Sequence, residues 1–84
     1  MYEIEFSQNA EKYFYKLGRD IQKRISNTLE RIRIRPESYV KRLVGCPYYS
    51  LRVGDYRLIL DIRRDKLIIF VITLGHRKSI YKNV

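Results

Sequence analysis

Arg52, Arg57 and Arg77 lie in the carboxyl-terminal half of an 84-residue chain, together with its single histidine, His76, and with Tyr48, Tyr49, Tyr56 and Tyr81. A guanidinium presents a planar fork of donors that matches a phosphate. An imidazole or a phenol can move a proton, and an aromatic ring can stack on an unpaired base. Together these side chains suit an RNA phosphodiester, and they can hold and cleave one without a metal. His76 has no acidic or thiol neighbours at ligand spacing, so neither a metal site nor any other cofactor is expected. Its setting among cations suits an imidazole that accepts a proton. For each arginine the plainer reading stays open, as a solvated surface residue or a partner of Asp55 or Asp61. Tail packing is the plainer role for Tyr81, and strand packing for Tyr48 and Tyr49.

The charge points the same way. Lys and Arg number 18 against nine Asp and Glu, a net charge of +9. Residues 1–37 hold eight basic and six acidic side chains, whereas residues 38–84 hold ten and three. A surface this one-sided favours a polyanionic partner. Lys41, Arg42, Arg52 and Lys78 are the candidate substrate-binding cations around Arg57, whereas Lys23 and Arg31 contribute to a diffuse field. Cys46 stands alone, so no intrachain disulfide can form, which suits a reducing cytoplasm. The start of the chain, Met1-Tyr2-Glu3-Ile4-Glu5, does not read as a signal peptide. The apolar run from Leu67 to Leu74 is far shorter than the roughly 20 residues a membrane helix needs, so no membrane partner is expected.

The elements that must position these residues follow from periodicity. Tyr2, Ile4 and Phe6 alternate with Glu3 and Glu5, which predicts a strand with one buried face. Ser7 is a natural helix N-cap, and Ala10, Phe14 and Leu17 recur at helical spacing up to Gly18, expected to close that helix in the left-handed conformation. Ile21, Ile25, Leu29 and Ile32 form the apolar stripe of a longer second helix that ends before Pro36. From Tyr48 the period changes to that of strands, with turns at Val53-Gly54-Asp55 and at Arg63-Arg64-Asp65-Lys66. The expected architecture is α+β in the order β-α-α-β-β-β, one domain over residues 1–84. A two-helix hairpin covers one face of an antiparallel sheet, with the first strand at an edge. Alternation turns Tyr56, Leu58, Leu60 and Ile62 toward the helices and Arg57 toward the open face, with Arg52 beside it on the preceding strand.

Leu43-Val44-Gly45, the hairpin Leu51-Arg52-Val53-Gly54-Asp55-Tyr56-Arg57-Leu58, the apolar strand after it and Gly75-His76-Arg77-Lys78-Ser79-Ile80-Tyr81 together resemble the RelE/ParE superfamily of bacterial and archaeal toxins. The RelE branch consists of endoribonucleases that enter the ribosomal A site and cut the exposed codon. The resemblance implies metal-independent attack of the ribose 2′-hydroxyl on the adjacent phosphate, leaving a 2′,3′-cyclic end and inhibiting translation. It implies that Arg57 holds the scissile phosphate, that Arg77 stabilises the transition state, and that Tyr81 stacks or transfers a proton. The best-studied members use two lysines where this chain has Ser50 and Arg52, and arginine is a poor general base. His76 or Tyr81 is therefore the expected proton-transfer group. The ribosome and mRNA are the implied targets. A RelB-like antitoxin, partly disordered and acidic, is the implied partner in a heterodimer or heterotetramer. Two other readings stay open, a ParE-type gyrase poison on the same fold and a basic RNA-binding module without catalysis.

Overall fold

The computed structural model describes residues 1–76; Arg77, Lys78 and Tyr81 lie outside the described residues. Strand β1 (Glu3–Phe6) leads into helix α1 (Gln8–Lys16) and helix α2 (Arg19–Ile32), followed by a 3-10 turn at Pro36–Ser38. Strands β2 (Lys41–Arg42), β3 (Tyr49–Val53), β4 (Tyr56–Arg63) and β5 (Ile68–His76) complete the described chain. They form one sheet in the order β1-β5-β4-β3-β2. Among the described residues no helix is long and apolar enough to cross a membrane.

The α+β class and the strand–helix order agree with the sequence reading, with two differences in the sheet. It is mixed, because β1 runs parallel to β5 while every other pairing is antiparallel. A parallel neighbour requires a long crossover, and here the two helices and the meander supply it. The sheet also has a fifth strand, the two-residue β2. Lys41 and Arg42 are both exposed and carry no apolar alternation, so only their pairing with Ser50 and Tyr49 reveals a strand.

Ser7 caps α1 as expected, its Oγ accepting from the Ala10 N–H at 3.0 Å. Gly18 departs from expectation. It sits at φ −60°, ψ 153° as the N-cap of α2, while Leu17 ends α1 in an extended conformation. Its use lies in starting the second helix without a side chain rather than in closing the first.

Ile25, Leu29 and Ile32 from α2 pack with Leu51, Leu58, Leu60, Ile69, Val71 and Leu74 in one apolar core between helices and sheet. The spacing of the β5 members contains an irregularity. Ile59 pairs with Thr73 but Leu60 pairs with Val71, so Ile72 is an extra residue in β5. This β-bulge reverses the side-chain alternation along the strand. It lets Ile69, Val71 and Leu74 all face the helices. The Ser7 hydroxyl donates to the Ile72 carbonyl at 2.6 Å and the Ser7 N–H to the Val71 carbonyl at 3.0 Å, which ties the start of α1 to the bulge.

The β3–β4 turn is a two-residue hairpin loop, Gly54-Asp55, with Gly54 at φ +60°. A positive φ at the first loop position suits the right-handed twist of the strands and favours glycine there. The β4–β5 turn is held to the Pro36–Ser38 segment by an Arg64–Glu37 ion pair at 3.1 Å. Glu37's own backbone hydrogen bond, and secondarily Arg64, hold its carboxyl below the usual value of 4.5.

Candidate active site

The sheet face away from the helices, the open face expected from the sequence, is best described by rows of residues that pair across the strands, and it is closed at Ser50 and Ile59, 6% and 1% exposed. In one row Lys41 of β2 pairs with Ser50 of β3, Ser50 with Ile59 of β4, and Ile59 with Thr73 of β5. In the next, Arg52 of β3 pairs with Arg57 of β4, and Arg57 with Gly75 of β5. Leu51 and Leu58, the neighbours of Arg52 and Arg57 along their strands, point into the core. Both guanidiniums are therefore on the face away from the helices.

Directly opposed like charges weaken a strand pair. Arg52 and Arg57 nevertheless stand in register, an arrangement that an anion would stabilise. The two differ in environment. Arg52 is exposed, and its Nε donates to the Gly54 carbonyl at 3.3 Å, which anchors the guanidinium over the hairpin turn. Arg57 is half-buried and its Nε is withdrawn from solvent, so its rotameric freedom is restricted before any ligand arrives. Gly75, its pairing partner on the other flank, has no side chain. Asp61, four residues along β4 from Arg57, forms its ion pair with Arg63 at 3.0 Å.

The other candidates are divided by the pleat. Lys41 shares the open face with Arg52 and Arg57, whereas Arg42 pairs with the core-packed Tyr49 and lies on the opposite side of the sheet. His76 pairs with Tyr56, and their rings meet edge to face with centroids 5.8 Å apart. Since His76 follows Gly75 along β5, its imidazole leaves from the helix side of the sheet, at an exposed strand end, rather than beside Arg57. Tyr49 packs against the core and Tyr48 is half-buried.

One feature of the surface is absent from the sequence reading: Arg24, Asn27, Thr28 and Arg31 of α2 face β3 across a groove. Their i, i+3, i+4, i+7 spacing, which places them on one helix face, was the available signal. No group of three or more His, Cys, Asp or Glu able to hold a metal occurs among the described residues.

A small sheet with an arginine-bearing face, backed by two helices, also describes a known class of protein. The chain belongs to the ParE toxin family of type II toxin-antitoxin systems (parDE), whose family model matches residues 4–81. The mRNA interferase toxin RelE of Escherichia coli K12 is 29% identical over 80 residues, spanning 92% of this chain and 84% of that protein. Among solved structures, the intact E. coli RelBE toxin-antitoxin complex contains a chain 30% identical with a TM-score of 0.78, covering 90% of this chain and 96% of that one. The isolated E. coli RelE toxin is 27% identical with a TM-score of 0.80, covering 98% and 93%. The RelB-RelE complex of Methanococcus jannaschii gives 27% identity and a TM-score of 0.74, covering 95% and 98%.

Proposed function

We propose that this toxin is an mRNA interferase that cuts mRNA in the ribosomal A site. The observation that carries this reading is the in-register pair of Arg52 and Arg57 on the sheet face away from the helices, one exposed and one half-buried. The names of the relatives, mRNA interferase toxin RelE among them, support the same activity. In the proposed reaction the guanidinium of Arg57 holds a non-bridging oxygen of the scissile phosphate, and Arg52 and Lys41 hold the flanking backbone. The 2′-hydroxyl loses its proton as its oxygen bonds to phosphorus. The bond from phosphorus to the 5′-oxygen breaks, that oxygen gains a proton, and a 2′,3′-cyclic phosphate remains. Arg77 adds charge stabilisation in the transition state, and Tyr81 or His76 carries a proton. Of these two, Tyr81 is the better fit, because His76 leaves the sheet on the side away from Arg57.

Asp61, the carboxylate within β4, is four residues from Arg57 and is engaged by Arg63. Alignment of the attacking hydroxyl must then come from elsewhere, and the ribosome can supply it. Positioning of reactants contributes up to about 7 to 11 kcal/mol to such steps. A RelB-like antitoxin is the proposed partner, in a heterodimer or heterotetramer, and the RelBE complexes among the structural relatives support it. The cytoplasm is the proposed location.

A second reading, a gyrase-directed toxin, follows from the ParE name of the matched family. The test is to induce the toxin, then map mRNA 5′ ends and follow DNA synthesis. Codon-positioned cuts with 2′,3′-cyclic ends are expected, on programmed ribosomes and not on naked mRNA. Arrested replication with intact mRNA would favour the gyrase reading.

A further inference from the structure

A groove of about 480 Å³ runs between α2 and the outer edge of β3. Arg24, Asn27, Thr28 and Arg31 line its helical wall, and Tyr39 and Arg52 contribute from the other elements. Every one of these six side chains can donate a hydrogen bond, and no acidic side chain lines the groove among the described residues. Arg24 Nη1 lies 3.6 Å from where a Cβ on Gly54 would stand, so its guanidinium reaches across the groove to the β3–β4 turn. The ion pairs formed among the described residues involve Arg33, Arg63 and Arg64, and none involves Arg24, Arg31 or Arg52. Strand β2 pairs with β3 only at Tyr49 and Ser50, so the wall at Leu51–Val53 is a strand edge without a neighbouring strand among the described residues.

We propose that this groove is a second RNA-binding site, distinct from the Arg57 face, that grips the phosphate backbone of a structured RNA. Three guanidiniums from two elements converge without counter-charge in one concavity, a surface complementary to closely spaced phosphates. Asn27 and Thr28 add neutral donors suited to phosphate and ribose oxygens, and Tyr39, 46% exposed, offers a ring at the rim. Arg52 belongs to the groove and to the open face alike, so the two surfaces are continuous around the β3 edge. An RNA held in the groove would fix the toxin's orientation while the open face reaches the strand to be cut. The proposal rests on the RNA-directed reading of the Arg57 face.

The probe is a fluorescent RNA hairpin methylated at every 2′-oxygen, which this chemistry cannot cut. Its affinity for the intact toxin is measured over a range of KCl concentrations. The double variant Arg24→Gln/Arg31→Gln is expected to bind at least tenfold more weakly, with the slope of log K against log salt reduced by about one to two. The charge-matched variant Lys23→Gln/Lys66→Gln should lose less than threefold. Equal losses in both variants would reduce the groove to general charge and overturn the site, as would failure of the parent to bind the hairpin. A labelled oligoglutamate peptide is run alongside; if it alone loses affinity in the groove variant, the occupant is an acidic peptide and the proposal falls. Arg31→Gln alone, a change on an exposed helix face, repeats the test should the double variant unfold. Because the hairpin is not a substrate, a parent that fails to cut mRNA would remove the nuclease reading while the binding comparison still decides on the groove.

Discussion

Arg57 shows how much one residue position can determine. Alternation along β4 turns it away from the core, register places Arg52 on one flank, and Gly75 stands on the other. The first two relations can be read from the sequence, since strand parity and a short Gly-Asp turn define them. The side taken by His76 cannot. Counting outward from Ile69 and Val71 by twos would send His76 to the open face, but the extra residue at Ile72 reverses the count and sends it to Tyr56. The Gly75 flank of Arg57 can be tested directly. Gly75→Val puts a branched side chain on that flank, and strand propensity favours valine, so the fold should melt no lower than the parent. Cleavage on programmed ribosomes should nevertheless fall on the order of 10- to 100-fold, the scale on which misplaced reactants lose rate. Parent-like cleavage by this variant would show that the phosphate does not approach from the β5 side.

At the scale of elements, the bulge and its tie to α1 decide which face each β5 side chain takes. Ser7→Ala removes a helix cap and leaves the Ile72 carbonyl without its hydroxyl donor. The combined cost should be about 1 to 2 kcal/mol, read as a midpoint shift in urea unfolding with the slope unchanged. No shift would mean that water replaces the hydroxyl at both groups. The β4–β5 turn holds an opposite opportunity. Leu67 adopts φ +54° while 46% exposed, and its carbonyl accepts from the Glu3 N–H at 2.9 Å. A leucine in the left-handed region costs about 1 to 2 kcal/mol relative to a residue that tolerates it. Leu67→Asn should recover about 0.5 to 1 kcal/mol in the same unfolding experiment. Destabilisation would show that the leucine side chain contributes more by packing than it loses by strain. Both features escaped the sequence reading because a bulge and a strained turn residue leave no mark on hydrophobic periodicity, and the two-residue β2 was missed because its residues are exposed and charged.

Across the whole molecule, class and order were legible because the period of the apolar residues changes from helical to strand-like at one place, near Tyr48. The parallel pairing of β1 was not, since nothing in Tyr2-Glu3-Ile4-Glu5-Phe6 distinguishes a parallel edge from an antiparallel one. The charge excess of residues 38–84 indicated a polyanion, and the fold adds Arg24 and Arg31 of the amino-terminal half to Arg52 in the α2–β3 groove. Arg31, which sequence alone assigned to a diffuse field, becomes part of a groove wall.

The central claim is that the Arg57 guanidinium meets charge that develops on the scissile phosphate, and single-turnover cleavage by toxin already bound to programmed ribosomes tests it most directly. Arg57→Ala should lower the bound cleavage rate on the order of 10²-fold or more, the scale for losing a preorganised charge contact. Its affinity for the ribosome should change far less, because many other cations share the binding. Arg57→Ala cutting at the parent rate once bound would contradict the account and show that the Arg57 guanidinium does not meet the developing charge.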